Sequence, residues 1–153
     1  MNVYQRLVFR HVIGNPGKEA MTSRTDKLIV EFDRGLRTLF GAPRSLRRSP
    51  AAEVAEADLD IEARRRAAAL MRVNHSGEVC AQALYQGQAL ASNNAGLREA
   101  LSQAALEEAD HLAWSRRRID ELDGRTSLLN PLWYAGSLAM GMLAGRLGDA
   151  WNL

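Results

Sequence analysis

The feature that most constrains this chain is a Glu-x-x-His pair on the apolar side of an amphipathic segment. Reading residues 97–123 at steps of four and three collects one face of a helix. That face consists of Leu97, Leu101, Ala104, Glu108, His111, Ser115, Arg118 and Leu122. Glu108 and His111 therefore stand where a core helix normally carries Leu or Ile.

The flanking positions of this helix are charged or polar, and we expect them to face solvent. They are Arg98, Glu99, Gln103, Glu107, Asp110, Arg116, Arg117, Asp120 and Glu121. A carboxylate in a helical core is costly unless it is paired or coordinated, and Glu-x-x-His is the helical half of a carboxylate-bridged di-metal site. The other interpretation is that the two side chains pair with each other or face solvent.

Composition favours an all-α domain. The chain has 153 residues, which suits one domain, and only 6% of them are aromatic. Its formal net charge of +2 is spread over helices that also carry acids. This charge is weak evidence for a nucleic acid partner, and we expect none, and modest evidence for an anionic membrane surface. The single Cys80 fits a reducing compartment and a small buried side chain.

The first part of the chain is predicted to hold an extension, one helix and a linker. Residues 1–20 read as an extension upstream of Met21, and residues 21–58 as an amphipathic helix and linker. Helical spacing runs over residues 26–40, with Thr25 as the expected N-cap. In the linker, Arg44, Arg47 and Arg48 form a basic cluster that fits either a solvated loop or a phospholipid surface.

A long helical pattern covers residues 59–92. Its apolar positions at heptad spacing are Leu70, Val73, Gly77, Cys80, Leu84, Gly87 and Ala91. Glu78 lies one residue round from this seam, and Gly77 beside it would let a neighbouring helix or a metal-bound group approach closely. His75 and Tyr85 share the face of Glu78; His75 fits a neighbour of the metal ligands, a ligand, or a hydrogen-bonded core residue.

A short turn at residues 93–96 predicts that the two long helices are antiparallel neighbours. Glu78 lies about 15 residues before this turn and Glu108 about 13 after it, so at ~1.5 Å per residue they reach similar heights. The sequence thus predicts that Glu78, Glu108 and His111 converge at one level.

The uncharged residues 126–145 raise the question of a membrane. Three interpretations are open: a monotopic interfacial helix, which we favour, a buried bundle helix, and a transmembrane span. Leu132, Trp133 and Tyr134 at its start suit membrane or substrate access. Gly141 and Gly145 form a small-residue packing face.

These motifs together resemble a known family. The stretch MRVNHSGEVCAQALYQGQ at residues 71–88, then EEADH at 107–111 and NPLWY at 130–134, are similar to the flavin-independent di-iron 5-demethoxyubiquinone hydroxylases of ubiquinone biosynthesis, in their bacterial form. The resemblance runs from about residue 59 to the end and implies the amino-terminal portion of a ferritin-like di-iron carboxylate bundle, present here as a half bundle.

The resemblance also implies a chemistry and a location. Glu78, Glu108 and His111 would be iron ligands, with His75, Tyr85 and Glu107 as neighbours of the ligands. The enzyme would use two Fe²⁺ ions, O₂ and NADH to hydroxylate the ring of a polyprenyl benzoquinone. It would lie in the bacterial cytoplasm, peripheral on the cytoplasmic face of the inner membrane.

The chain departs from the family pattern in its ligand count. A second inward Glu and a second Glu-x-x-His are expected on later helices, downstream of residue 153, and no second Glu-x-x-His occurs in the sequence. A two-fold homodimer would combine two half-sets of ligands. A ferritin-like metal-binding or storage protein and a non-catalytic, membrane-associated helical fragment remain alternative classes.

Overall fold

The computed structural model describes residues 23–42 and 45–148 of the chain. The described residues fall into two compact units, which divide between Asp33 and Arg34. The described residues form helices and no strand, so the all-α prediction is confirmed. Residues 23–42 and 45–148 contain four α-helices and a 3-10 turn at Pro50–Glu53. The α-helices are α1, Arg24–Phe40; α2, Ile61–Ala91; α3, Ala95–Glu121; and α4, Asn130–Leu147. The proposed extension at residues 1–20 lies outside the described residues.

The first helix begins earlier than its spacing predicts. Ser23, not Thr25, caps α1: the Asp26 amide donates to Ser23 Oγ at 3.1 Å, and the Ser23 amide donates to Asp26 Oδ2 at 3.0 Å. This reciprocal pair satisfies two backbone donors at once, so it outcompetes a simple hydroxyl cap. At the other end, the Gly41 amide donates to the Arg37 carbonyl at 2.9 Å.

The two long helices have well-defined ends. Asp60 caps α2 by accepting from the Ala63 amide at 2.7 Å, and Asn94 caps α3 by accepting from the Leu97 amide at 3.1 Å. The Ser92 C-cap of α2, whose amide donates to the Gln88 carbonyl, and the Asn94 cap of α3 define the short turn expected from the sequence. Consequently α2 and α3 form an antiparallel hairpin, and α4 packs against α2.

The hydrophobic core lies where α2, α3 and α4 meet. It is built on Val79 and Ala83 of α2, Leu112 of α3 and Tyr134 of α4, with Leu39 and Leu138 packed beside them. Val79 and Ala83 have no exposed surface. This core sits on a different face of α2 from the seam predicted at heptad spacing.

The predicted seam of α2 is therefore wrong in its first half. Leu70 and Val73 are 65% and 72% exposed, and a Cβ added at Gly77 would meet no atom within 4 Å. Periodicity identified one seam of apolar or small residues on α2 but could not tell which part of it the neighbouring helices cover. The expected close approach at Gly77 does not occur within the part of the chain that the structure describes.

The backbones of α2 and α4 approach each other closely near the C-terminal end of α2. A Cβ at Gly87 would come within 2.8 Å of the Met142 amide nitrogen, and one at Gly145 within 2.8 Å of Ala91 Cβ and the Gln88 carbonyl. Gly141 faces the backbone of Leu84. The small-residue face predicted at Gly141 and Gly145 is thus the contact surface of α4 with α2.

Candidate metal centre

Glu78, Glu108 and His111 come together between α2 and α3. Each offers one ligand atom, and these atoms lie within 4.8 Å of one another. His111 Nδ1 is 3.2 Å from Glu108 Oε2 and 4.0 Å from Glu78 Oε2. The side chains of Glu78 and Glu108 are 17% and 19% exposed, whereas that of His111 is 45% exposed.

Cross-helix hydrogen bonds fix the level at which these groups meet. On one side, three residues before Glu78, His75 Nδ1 lies 3.0 Å from Ser115 Oγ. On the other side, four residues after Glu78, Gln82 Nε2 donates to the Ala105 carbonyl at 2.7 Å. The two contacts bracket the cluster along the hairpin, so a slide of α2 along α3 would break both.

Burial and the neighbouring Glu108 disfavour the ionised form of Glu78. Burial, the hydrogen bond with Glu108 and the negative charge of Glu108 raise the pKa of Glu78 to about 7, while His111 partly opposes this rise. At pH 7, about half of the Glu78 side chains therefore keep a proton, which a bound cation would displace. Two carboxylate oxygens and one imidazole nitrogen are a donor set that suits iron or manganese, so the residues present fit such a metal.

This pKa gives a testable pH dependence. The pKa of Glu78 in the folded chain, about 7, exceeds its ordinary value of 4.5. The contribution of Glu78 to stability is therefore fully present below pH 4.5 and is lost as pH rises through 7. We expect the metal-free chain to lose roughly 1–3 kcal/mol of unfolding free energy from this group over that range. Urea unfolding of Glu78→Gln should lack this loss; Glu107→Gln, the control, should keep it, and an unchanged slope in Glu78→Gln would contradict the assignment.

Of the three residues expected beside the ligands, His75, Tyr85 and Glu107, only Tyr85 lies near the carboxylates. Tyr85 lies near both carboxylates: burial first, then the charges of Glu108 and Glu78, raise the pKa of its phenol. His75 is buried against Ser115, outside the cluster, and burial lowers the pKa of its imidazole. Glu107 is exposed. Tyr85 is thus the one of the three that senses the carboxylates directly.

Asp110 corrects the prediction of a solvated face. Its side chain is 6% exposed, because residues 45–47 of the linker cover it. Burial opposes ionisation, but hydrogen bonds from Arg47, Leu46 and Ser45 outweigh it and lower the pKa of Asp110. Helical periodicity could not reveal this contact, since its partner is more than 60 positions away in the chain.

The aromatic start of α4 divides between surface and core. Leu132 and Trp133 are 63% and 46% exposed. Tyr134, which the sequence grouped with them, is buried and donates its hydroxyl hydrogen to Gln86 Oε1. Tyr134 therefore belongs to the core and not to an access surface.

Among the described residues, no helix combines the length and apolar character needed to cross a membrane. The transmembrane interpretation of α4 is thus wrong. The helix still presents apolar side chains on the face away from α2: Leu132, Trp133, Met140, Leu143 and Leu147. Two interpretations of α4 remain. One face of the helix is buried against α2, as expected of a bundle helix. The exposed apolar face is compatible with a monotopic interfacial helix.

Comparison with known proteins identifies the relatives of this chain. Proteins named 3-demethoxyubiquinol 3-hydroxylase from Azoarcus sp. (strain BH72) and Chromobacterium violaceum are 62% and 64% identical to it over 128 residues. Each match covers 84% of this chain and 62% of the relative, so the chain spans less than two thirds of their length. No solved structure matches significantly.

A family model supports the same assignment. The model described as "Ubiquinone biosynthesis protein COQ7" matches residues 65–153, more than half of the chain and all three members of the cluster. The match agrees with the ferritin-like helical class expected from the sequence. The chain therefore belongs to the family of the ubiquinone biosynthesis protein COQ7.

Proposed function

We propose that this chain carries half of the metal site of a di-iron monooxygenase that hydroxylates the ring of demethoxyubiquinone or its quinol. The observation that carries the proposal is the convergence of Glu78, Glu108 and His111 between two antiparallel helices. The relatives named as 3-demethoxyubiquinol 3-hydroxylases supply the reaction class. Fe²⁺ is the proposed cofactor, and O₂ and NADH are the proposed co-substrates.

The residues of the chain would divide the work between them. Glu78, Glu108 and His111 would hold iron, which supplies the redox chemistry needed to activate O₂. Glu78 would release its proton as the metal binds, because burial first, and then the hydrogen bond with Glu108 and its negative charge, raise the pKa of Glu78. Tyr85, near both carboxylates, would limit solvent on that side of the site.

A polyprenyl quinone also implies contact with lipid. The exposed apolar residues of α4 offer a surface for peripheral association with the cytoplasmic face of the inner membrane. Trp133 stands at the start of that surface, as aromatic side chains do at the membrane interface. The substrate would enter from this side.

Vesicle binding tests the lipid surface. Leu143→Glu places a charge on a side chain that is 60% exposed on α4, so we expect about tenfold weaker co-sedimentation with liposomes, since both apolar area and charge oppose binding. Leu106→Glu is a matched control, because Leu106 is 53% exposed on α3. Equal binding of the two variants would remove the lipid surface from the proposal.

A product assay tests the proposed reaction. The iron-loaded chain, NADH and a short-chain demethoxyubiquinol are incubated in air, and the product is followed by mass spectrometry. The proposal predicts a quinol heavier by one oxygen atom, which takes up ¹⁸O from ¹⁸O₂ and is absent with Glu108→Ala. Iron oxidation without any quinone product would instead support a ferritin-like metal-binding or storage protein.

A further inference from the structure

The linker is attached to α3 at one carboxylate. Asp110 Oδ1 accepts from Ser45 Oγ at 3.0 Å and from the amides of Leu46 and Arg47 at 2.6 and 3.4 Å. Asp110 Oδ2 accepts from Arg47 Nε at 2.5 Å. Such a carboxylate, buried and accepting four hydrogen bonds, is a strong local anchor because one partner is a guanidinium.

The anchored linker in turn holds Trp114. Trp114 Nε1 donates to the Arg47 carbonyl at 3.3 Å, and the Arg47 guanidinium carbon lies 5.7 Å from the centre of the Trp114 ring. That distance is within the range of a cation–π contact. Arg47 therefore contacts both the indole nitrogen and the ring, and its own position depends on Asp110.

Trp114 extends this set of contacts to the metal-ligand candidate. The ring centres of His111 and Trp114 are 5.4 Å apart at an angle of 51°. His111 is the most exposed member of the cluster, at 45%, so packing from other residues does little to hold its ring. Trp114 is the aromatic neighbour that restricts it on this side.

We propose that Asp110 is a positioning residue for His111, which it orients through Arg47 of the linker and the Trp114 ring. The inference deepens the proposed metal site and rests on it. Residues that orient a metal-bound imidazole commonly change metal affinity by 10–100-fold when they are removed. Asp110 does so here through packing, and not through a direct hydrogen bond to the imidazole.

Two readouts on the full chain test this role. In the metal-free protein, ring-current shifts of the His111 imidazole protons report its contact with Trp114, and His111→Gln assigns these resonances. In the metal-loaded protein, titration with Mn²⁺ gives the affinity. Asp110→Asn is the test variant, Trp114→Leu the positive control, and Asp120→Asn the matched control, because Asp120 is an exposed aspartate on α3 paired with Arg116.

The expected results separate this inference from the proposed function. Asp110→Asn should reduce the His111 ring-current shift and weaken Mn²⁺ binding about tenfold at unchanged helicity, as should Trp114→Leu, whereas Asp120→Asn should change neither. An unchanged shift and affinity in Asp110→Asn would overturn the positioning role and leave the metal site intact. No Mn²⁺ binding by the unsubstituted chain would overturn both.

Discussion

His111→Ala and Glu108→Ala are each expected to abolish stoichiometric metal binding while leaving the helical content of the chain nearly unchanged. Each substitution removes one of the three donor atoms that lie within 4.8 Å of one another, and neither residue belongs to the hydrophobic core. The loss of one ligand from a three-donor site should lower affinity by at least a hundredfold. Isothermal titration with Mn²⁺ and circular dichroism measure the two properties.

The chain contains a matched control for this experiment. Glu107 neighbours Glu108 on the same helix but is exposed, so Glu107→Ala should retain the affinity of the unsubstituted chain. A large loss of helix in His111→Ala or Glu108→Ala would show that the pair is structural. Equal Mn²⁺ binding by Glu107→Ala and Glu108→Ala would show that the metal lies elsewhere.

Gly141→Ala is expected to destabilise the fold by about 2–4 kcal/mol, a large part of the stability of a small domain. The added Cβ would clash with the Leu84 carbonyl and come within 3.1 Å of the Gln88 amide nitrogen and Gly87 Cα. These are backbone atoms of a packed helix, so α4 would have to move away from α2. Thermal or urea unfolding measures the effect.

Gly77→Ala is the control, because it makes the same chemical change within α2 but meets no atom within 4 Å. Removing a glycine from a helix interior should stabilise the chain by about 0.5–1 kcal/mol. The two substitutions should therefore have opposite signs. A loss of stability in Gly77→Ala as large as that in Gly141→Ala would contradict the packing described here.

Local sequence rules predicted the helices and brought the candidate ligands together. Turn residues and apolar spacing located the α2–α3 hairpin, and counting residues from its turn placed Glu78 level with Glu108. Both steps use information within one hairpin, where rise per residue and periodicity determine which side chains are neighbours. Metal binding at this cluster stays a prediction.

Long-range contacts were beyond the same rules. The burial of Asp110 depends on residues 45–47 folding back over α3. Which side chains of α2 are buried depends on where α4 docks. Tyr134 was assigned to a surface because aromatic residues suit an interface, yet its hydroxyl finds a buried acceptor in Gln86. Each error concerns which partner covers a face, and periodicity carries no information about that.

The most direct test of the central claim is iron stoichiometry after anaerobic loading with Fe²⁺, measured together with the mass of the protein in solution. If Glu78, Glu108 and His111 form a half-site that pairs by two-fold symmetry, the chain should be a dimer with two irons, and His111→Ala should hold none. A chain that retains no stoichiometric iron, or a His111→Ala variant that retains as much as the unsubstituted chain, would contradict the account.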